Sequence, residues 1–539
     1  MHTTCSYLPY QQTNTFSKLV IDYLAQDEKL KPFYNYPVNI EGIKAAIAAR
    51  QAAPDHRHLL VRELKKLYEG IELTSSQESN FEALLSPDCF TVTTAHQPNI
   101  FTGPLYFIYK ILHAIKLAAD LEQQLPDYRF VPVYYMGSED ADLDELGHIW
   151  LDGEKITWDT TQTGAVGRMN TKGLDKITQR LQGEFGGLPF ADEMIALCKN
   201  AYSESETIQQ ATLILVNELF KKYGLVVLIP DNANLKRAFN PIVKKELLEQ
   251  FSHPLVEQTS EALAKHYKVQ ASGRELNLFY LDDEGHRERI EATGLDTQGK
   301  KSFAVNSLGL VFSEEEILQE LEAHPERFSG NVILRGVSQE TILPNIAFIG
   351  GGGELAYWME LKQVFEATGT PYPMLILRNS FLLIEEKQSL LKQKLQLSNT
   401  ELFLSELELL NLLAKRDSDN KLDTVEEQKQ AYALYEKLQL AANNIDPTLK
   451  AHIAALHVST LKGLKNLEKK MLRAERRKNT DQALRVKKLR AALFPNNNLQ
   501  ERIDNFMPLY ARYGSALIDR ILQHSLALES EFAVMNMGL

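Results

Sequence analysis

Three stretches of this chain place polar and charged residues where strands end and helices begin. The first is "TTAHQPNIFTGPLYFIYKIL", residues 93–112. A β-rich run, Phe90–Thr94, stops at Ala95 and His96, and an apolar-periodic helix follows Gly103-Pro104. His96, Gln97, Asn99 and Thr102 thus occupy a strand-to-helix turn, where free N–H groups and a positive dipole end suit a phosphate or carboxylate. In this reading His96 and Asn99 are catalytic, with a neutral His96 ring orienting a carboxylate or stabilising an oxyanion. Gln97 and Thr102 bind substrate. The competing reading is that His96 packs a loop.

The second stretch, "GSEDADLDELGH", residues 137–148, gathers Glu139, Asp140, Asp142, Asp144 and Glu145 within seven residues. Such a cluster can bind Mg²⁺, hold an amine or supply a general base, or it can cap the following helix. Five carboxylates exceed what capping needs, so Asp140 and Asp142 are read as catalytic, with Gly137 and Glu139 binding substrate. No residue set is assigned to a metal. The third stretch, "RGVSQETILPNIAFIGGGGELAYW", follows a strand candidate at Val332–Leu334. Gly350–Gly353 read as a helix-opening turn that a ligand can approach closely, without the Gly-Lys-Ser/Thr of a P-loop. Ser338, Gln339, Glu354, Tyr357 and Trp358 are expected to line one wall, and Arg378 and Asn379 of "LRNSF" to offer anion-binding donors.

These residues need a scaffold that aligns strand ends. Strand candidates at Phe90–Thr94, Phe130–Met136, Leu225–Pro230, Val332–Leu334 and Met374–Leu377 alternate with helical patterns at Pro104–Leu125, Thr207–Tyr223 and Leu355–Ala367. Short, nearly all-apolar strands alternating with helices predict an α/β fold, a Rossmann-like doubly wound parallel sheet. Polar, turn-rich residues at about 150–200 and hairpins plus a helix at 268–330 read as insertions into a core spanning 1–385. From 386 to 539 the chain is rich in Leu, Lys, Glu and Arg and nearly free of Gly and Pro, which predicts long helices packed as a coiled coil. Apolar spacing at Leu461, Leu464, Leu467 and Met471 suggests a packing seam, between subunits of a homodimer.

The chain has 539 residues, 44% of them hydrophobic, and a formal charge of −12. No apolar run reaches a membrane span, and three cysteines without metal-type spacing suit a reducing cytoplasm. The acidic balance argues against broad nucleic-acid binding. Against it stands Leu461–Arg490, with twelve Lys/Arg and three acidic residues, net +9. That stretch is either a solvated helix face or a phosphate-binding one, for a nucleotide or RNA.

"AHQPNIFTGPLYFIYK", "GSEDADLDEL", "GVSQETILPNIAFIGGGGELAYW", "LRNSF" and "LFPNNNLQERIDNF" together resemble the cysteine-adding enzymes of bacillithiol biosynthesis, nearly end to end. The resemblance implies a core related to nucleotidyl transferases and class I synthetases, two connecting-peptide insertions and a C-terminal coiled coil. It also implies a ligase that adds L-cysteine to glucosaminyl-malate, the last step to bacillithiol. A nucleotide pocket near the coiled coil is implied too, to which Arg490, Phe494, Asn498, Gln500 and Arg502 are assigned. ATP is the obvious activator of a carboxylate, so ATP or ADP is the nucleotide in view, though no P-loop supports it. "HQPN" departs from the two-histidine synthetase signature, and no Lys-Met-Ser-Lys-like loop is present. The alternative is a synthetase-like protein that binds a nucleotide or RNA without ligase activity.

Overall fold

The computed structural model describes residues 3–271, 273–295 and 301–538. The chain divides into two compact units. One comprises Cys5–Leu382 together with Leu499–Met535, and the other is built on Leu383–Asn498. The boundary therefore differs from a single cut after residue 385, because residues 499–535 return to the larger unit.

The larger unit is organised by five parallel strands: β1 (Cys89–His96), β2 (Arg129–Met136), β3 (Val226–Leu228), β4 (Asn345–Gly350) and β5 (Met374–Leu377). Their spatial order is β5-β4-β1-β2-β3. Every residue of β1 and of β4 is buried, as expected for strands covered on both faces. The chain moves one way from β1 through β2 to β3, then returns to the other side of β1 as β4 and β5. A crevice therefore opens beyond the carboxyl ends of β1 and β4, the switch point of the sheet. Register sets what faces it: Thr94 pairs with Ile349, and His96 lies opposite Met136. One layer of the core joins Phe90, Val92, Ile346, Ile349 and Ile376 of the sheet to Ile43, Ile47, Leu117 and Leu121 of the helices.

The strand expected at Val332–Leu334 is instead the first turn of helix α2 (Val332–Ile342), and the strand comes later, as β4. A three-residue apolar run does not separate strand from helix, and the deciding signal is Asn331, whose side chain accepts the Ile333 N–H at 2.8 Å. The helix expected over Leu355–Ala367 is two, α3 (Gly352–Glu360) and Lys362–Thr368. The region at 150–200 is not mainly turns. After a hairpin, His148–Leu151 with Glu154–Thr157, it carries the helices Leu174–Phe185 and Ala191–Glu204. The segment 268–330 holds two small antiparallel sheets and the helix Glu314–Ala323.

The helical unit contains Glu406–Asp417, Val425–Asn443, Leu449–Arg476 and Thr480–Leu493. The middle two form a hairpin in which His457 stacks on Tyr435 at 4.9 Å and meets Tyr432 edge-on at 4.5 Å. Met471 packs against a small cluster of Ala414, Leu422 and Leu472. Leu467 of the expected seam is exposed, as are Leu434, Leu440 and Val458.

A buried ion pair fixes α2 to the sheet. Arg50 donates to the Glu340 carboxylate at 3.0 Å, to the Glu340 carbonyl at 2.9 Å and to the Asn345 carbonyl at 3.1 Å. Gln339 and Asn345 donate to the second Glu340 oxygen at 2.8 Å each. Burial still raises the Glu340 carboxyl to about 7. Arg50→Ala strands that carboxyl without its cation, so urea denaturation is expected to show a loss of about 3–5 kcal/mol. The folded state holds the Glu340 proton more tightly than the unfolded chain, so the parent loses stability from this group as pH rises from the ordinary carboxyl range to about 7. Glu340→Gln has no such proton, and its stability relative to the parent should improve over that interval.

Candidate active site

A cavity of about 290 Å³ lies at the switch point, lined by residues from the ends of β1, β4 and β5 and from the helices that follow. His96 is the last residue of β1, with 8% of its surface exposed. Its carbonyl accepts the Gly137 N–H at 2.8 Å and the Tyr134 hydroxyl at 3.1 Å, which locks the strand end. Its ring lies against Tyr106 and Phe107, and Nε2 has no hydrogen-bond partner among the described residues. Burial first, then the charges of Lys110, Arg335 and Arg378, holds its pKa well below the ordinary histidine value. The ring is neutral, as the sequence suggested, but the cause is different. Helix α1 (Tyr106–Gln124) starts later than Gly103-Pro104, after the short turn Ile100–Thr102.

That turn is strained. Phe101 and Thr102 have φ of 48° and 69°, and Gly103 follows at 60°. The Asn505 amide donates to the carbonyls of Phe101 and Gly103 at 2.8 Å each, and Tyr202 Oη accepts the Phe101 N–H at 2.6 Å. The segment 499–535 thus helps to shape the loop after His96.

The helix N-terminus facing the cavity belongs to α3. Gly351, Gly352 and Gly353 line the cavity, and the Gly351 N–H donates to Glu354 Oε2 at 2.8 Å. Lys110, on α1 and 2% exposed, ion-pairs with the same carboxylate and donates to the Ala95 carbonyl at 2.9 Å. Burial lowers the Lys110 pKa. Arg335 reaches the cavity from α2, donating to Tyr357 Oη at 3.1 Å and standing 3.6 Å from Asp140. Arg378 lies over the Tyr106 ring at 5.1 Å and is tied to Glu501 at 2.7 Å. Four cations, Lys110, Arg335, Arg378 and Arg502, thus line a cavity whose acidic members are Glu354 and Glu145. That excess of positive charge beside a helix N-terminus suits an anionic ligand.

The sequence-derived candidates divide. His96, Gln97, Glu354, Tyr357, Arg378 and Arg502 line the cavity, and Asn99 lines a smaller one beside it. Gly137 packs so closely that a Cβ there would meet Arg335 Nη1 at 3.1 Å. Asp140 sits between Arg335 and Arg287, 3.6 Å from each, and orients Arg335. Asp142 is exposed beside Glu145. Glu139 turns away to an ion pair with Lys236, which also approaches Asp231, itself held by Arg168. Ser338 faces that second crevice, not the cavity. Thr102 is buried in the strained turn.

Other candidates are structural. Trp358 stacks on Phe348 at 4.3 Å and on Phe365 at 5.4 Å, within the core. Gln339 serves the Glu340 network. Asn379 binds the Leu526 carbonyl and gives its N–H to His113. Of the assigned nucleotide set, Phe494 is buried against Phe403, and Arg490 lies on the Phe494 ring at 4.0 Å while donating to the Leu402 carbonyl. Phe494 is not presented for base stacking. Asn498 is exposed in the helical unit, whereas Gln500, which is buried, and Arg502 belong to the larger unit.

Sequence reasoning passed over Lys110, Arg335, Tyr106 and the placement of Glu145. Lys110 had a signal: it is a lone cation in the apolar run "YFIYKIL". Among the described residues, Asp282, Glu284 and His286 form the one group spaced for a metal, in a partly exposed hairpin turn, and none of them lines the cavity.

Two family models match the chain: "Bacillithiol biosynthesis BshC, N-terminal Rossmann-like domain" over residues 1–379, and the C-terminal coiled-coil domain of the same family over residues 381–537. A relative from Flavobacterium johnsoniae is 40% identical over 99% of this chain and 100% of its own length. One from Christiangramia forsetii is 39% identical over the whole of both chains, and one from Cytophaga hutchinsonii is 37% identical over 95% of each. All three carry the name "Putative cysteine ligase BshC".

Lys110→Met keeps the stem and removes the charge. Followed by NMR across a pH series, the His96 ring should take up its proton at a higher pH in this variant than in the parent. An unchanged titration would show that Lys110 does not act on His96.

Proposed function

The chain belongs to the BshC family of bacillithiol biosynthesis, and from that membership we propose that it is a ligase forming the amide bond between L-cysteine and glucosaminyl-malate. The observation that carries the reading is the switch-point cavity, where Lys110, Arg335, Arg378 and the N-terminus of α3 converge beside a buried neutral histidine. A malate conjugate brings a carboxylate to such a site, and the cations fix its orientation. Among the described residues His96 Nε2 has no partner, and it serves to stabilise charge developing on the cysteine carboxyl oxygen as the glucosamine amine attacks. A free carboxylate is a poor electrophile at neutral pH, so the reaction takes an activating co-substrate, with ATP the first to test. The exposed apolar residues of the helical hairpin support a homodimer through that unit.

Purified protein incubated with cysteine and glucosaminyl-malate, with and without ATP, is expected to yield a thiol product of bacillithiol mass in at least one condition. No product under any of them would count against the ligase. His96→Ala should fold normally and lose roughly 10²–10³ in turnover. Asp140→Asn, which releases Arg335 and Arg287, should lose activity without unfolding, while Asp142→Asn should stay close to the parent. Equal losses at both positions would contradict the placement of Asp140.

A further inference from the structure

Beside the His96 cavity lies a smaller one of about 140 Å³. It is enclosed by the Gly103–Pro104 turn, the hairpin strand His148–Leu151 and Arg502–Ile503. The Leu105 N–H donates to the Asp504 carbonyl at 2.9 Å and the Asn505 N–H to the Trp150 carbonyl at 3.3 Å, so its walls are tied together by backbone hydrogen bonds. The two cavities share Tyr106, Glu145 and Arg502.

Glu145 and Arg502, both partly open to solvent, line the smaller cavity, and neither forms an ion pair among the described residues. Asn99, 6% exposed, lines it as well, and its Oδ1 has no hydrogen-bond partner among the described residues. A buried amide oxygen without a partner is costly unless a ligand supplies a donor. Trp150, Ile149 and Ile503 give it an apolar wall, and His148, whose Nδ1 is bonded to the Asp144 carbonyl at 2.9 Å, lines it beside them. A cation, an anion, a spare acceptor and an apolar wall complement a small zwitterion.

We propose that the smaller cavity binds a free amino acid. Arg502 takes the α-carboxylate, Glu145 and Asn99 Oδ1 take the ammonium, and the Trp150 wall takes the side chain. A thiol suits that wall, because sulfur packs favourably against aromatic rings. Glu145 and Arg502 both stand at the boundary shared with the larger cavity, so the amino acid is held where the two cavities meet. Burial, followed by the nearby charge of Asp142, raises the Glu145 pKa, consistent with a carboxylate that gains from a cationic neighbour. That the amino acid is cysteine rests on the ligase reading above, whereas the zwitterion complementarity does not.

The test is calorimetric titration of L-cysteine, in reducing buffer, into the full-length protein and into Arg502→Met and Glu145→Gln. Each variant is expected to weaken binding about tenfold or more, the usual loss for a charge-assisted contact. N-acetylcysteine, which lacks the ammonium, and cysteamine, which lacks the carboxylate, should bind much more weakly than cysteine, and loss of the Arg502 charge should not matter to cysteamine. Thermal melting of both variants should match the parent, since neither side chain anchors the fold. Absence of saturable cysteine binding to the parent, or equal affinity in parent and both variants, overturns the proposal. Binding that depends on both residues, from a parent that forms no amide, upholds the cavity and refutes the ligase. Amide formation with cysteine affinity untouched in both variants refutes the cavity and leaves the ligase standing.

Discussion

Everything around the cleft depends on one buried ammonium. Lys110 sits 2% exposed on α1 and meets two requirements that belong to different elements: it satisfies the Ala95 carbonyl at the end of β1 and neutralises Glu354 at the start of α3. A charge so deeply placed is tolerated only when paired and hydrogen-bonded. The lysine therefore demands that β1, α1 and α3 stay in fixed relation, and that relation defines the cavity. The same charge disfavours protonation of His96. Glu354 in turn accepts the Gly351 N–H, so the turn Gly350–Gly353 is held open by a carboxylate within its own helix.

A second layer of support is set further out. Arg50 and Glu340 clamp the end of α2 to the start of β4, which places Arg335, earlier on α2, at the cavity wall. Arg378 is anchored by Glu501, and the strained turn after His96 by Asn505. Both anchors come from 499–535, the segment that returns to the larger unit. A deletion of residues 386–539 would remove them, so it cannot serve as a clean separation of core from helices.

Much of this was legible in the sequence where chemistry and chain punctuation coincide. His96 after a β-branched run and Arg378 after "MLIL" each marked a strand end, the glycine run marked a helix start, and His96, Gly351–Gly353 and Arg378 all lie at the cavity. The parallel sheet followed from the alternation of short apolar strands with helices. Illegible residues were those whose position depends on which face of a helix they occupy. Arg335 was hidden because Val332–Leu334 looked like a strand, which left no helical face to assign. Tyr357 and Trp358 are neighbours, yet the helix turns one toward Arg335 and the other into the core. The acidic cluster had too many members for sequence to rank, and tertiary partners separated them: Lys236 took Glu139, while Arg335 and Arg287 took Asp140. Phe494 looked available for stacking because its partner Phe403 lies about ninety residues earlier in the sequence.

The proposed role of the cations gathered around Lys110 is to bind the carboxylate-bearing substrate. Calorimetric titration of glucosaminyl-malate into the parent and into Arg335→Met protein tests it most directly, because Arg335 faces the cavity yet is not the ammonium that holds the cleft together. Saturable binding to the parent is expected, weakened about tenfold or more by the variant, with the loss shrinking as salt is raised. Equal affinity for both proteins at low salt would contradict it and place the substrate elsewhere.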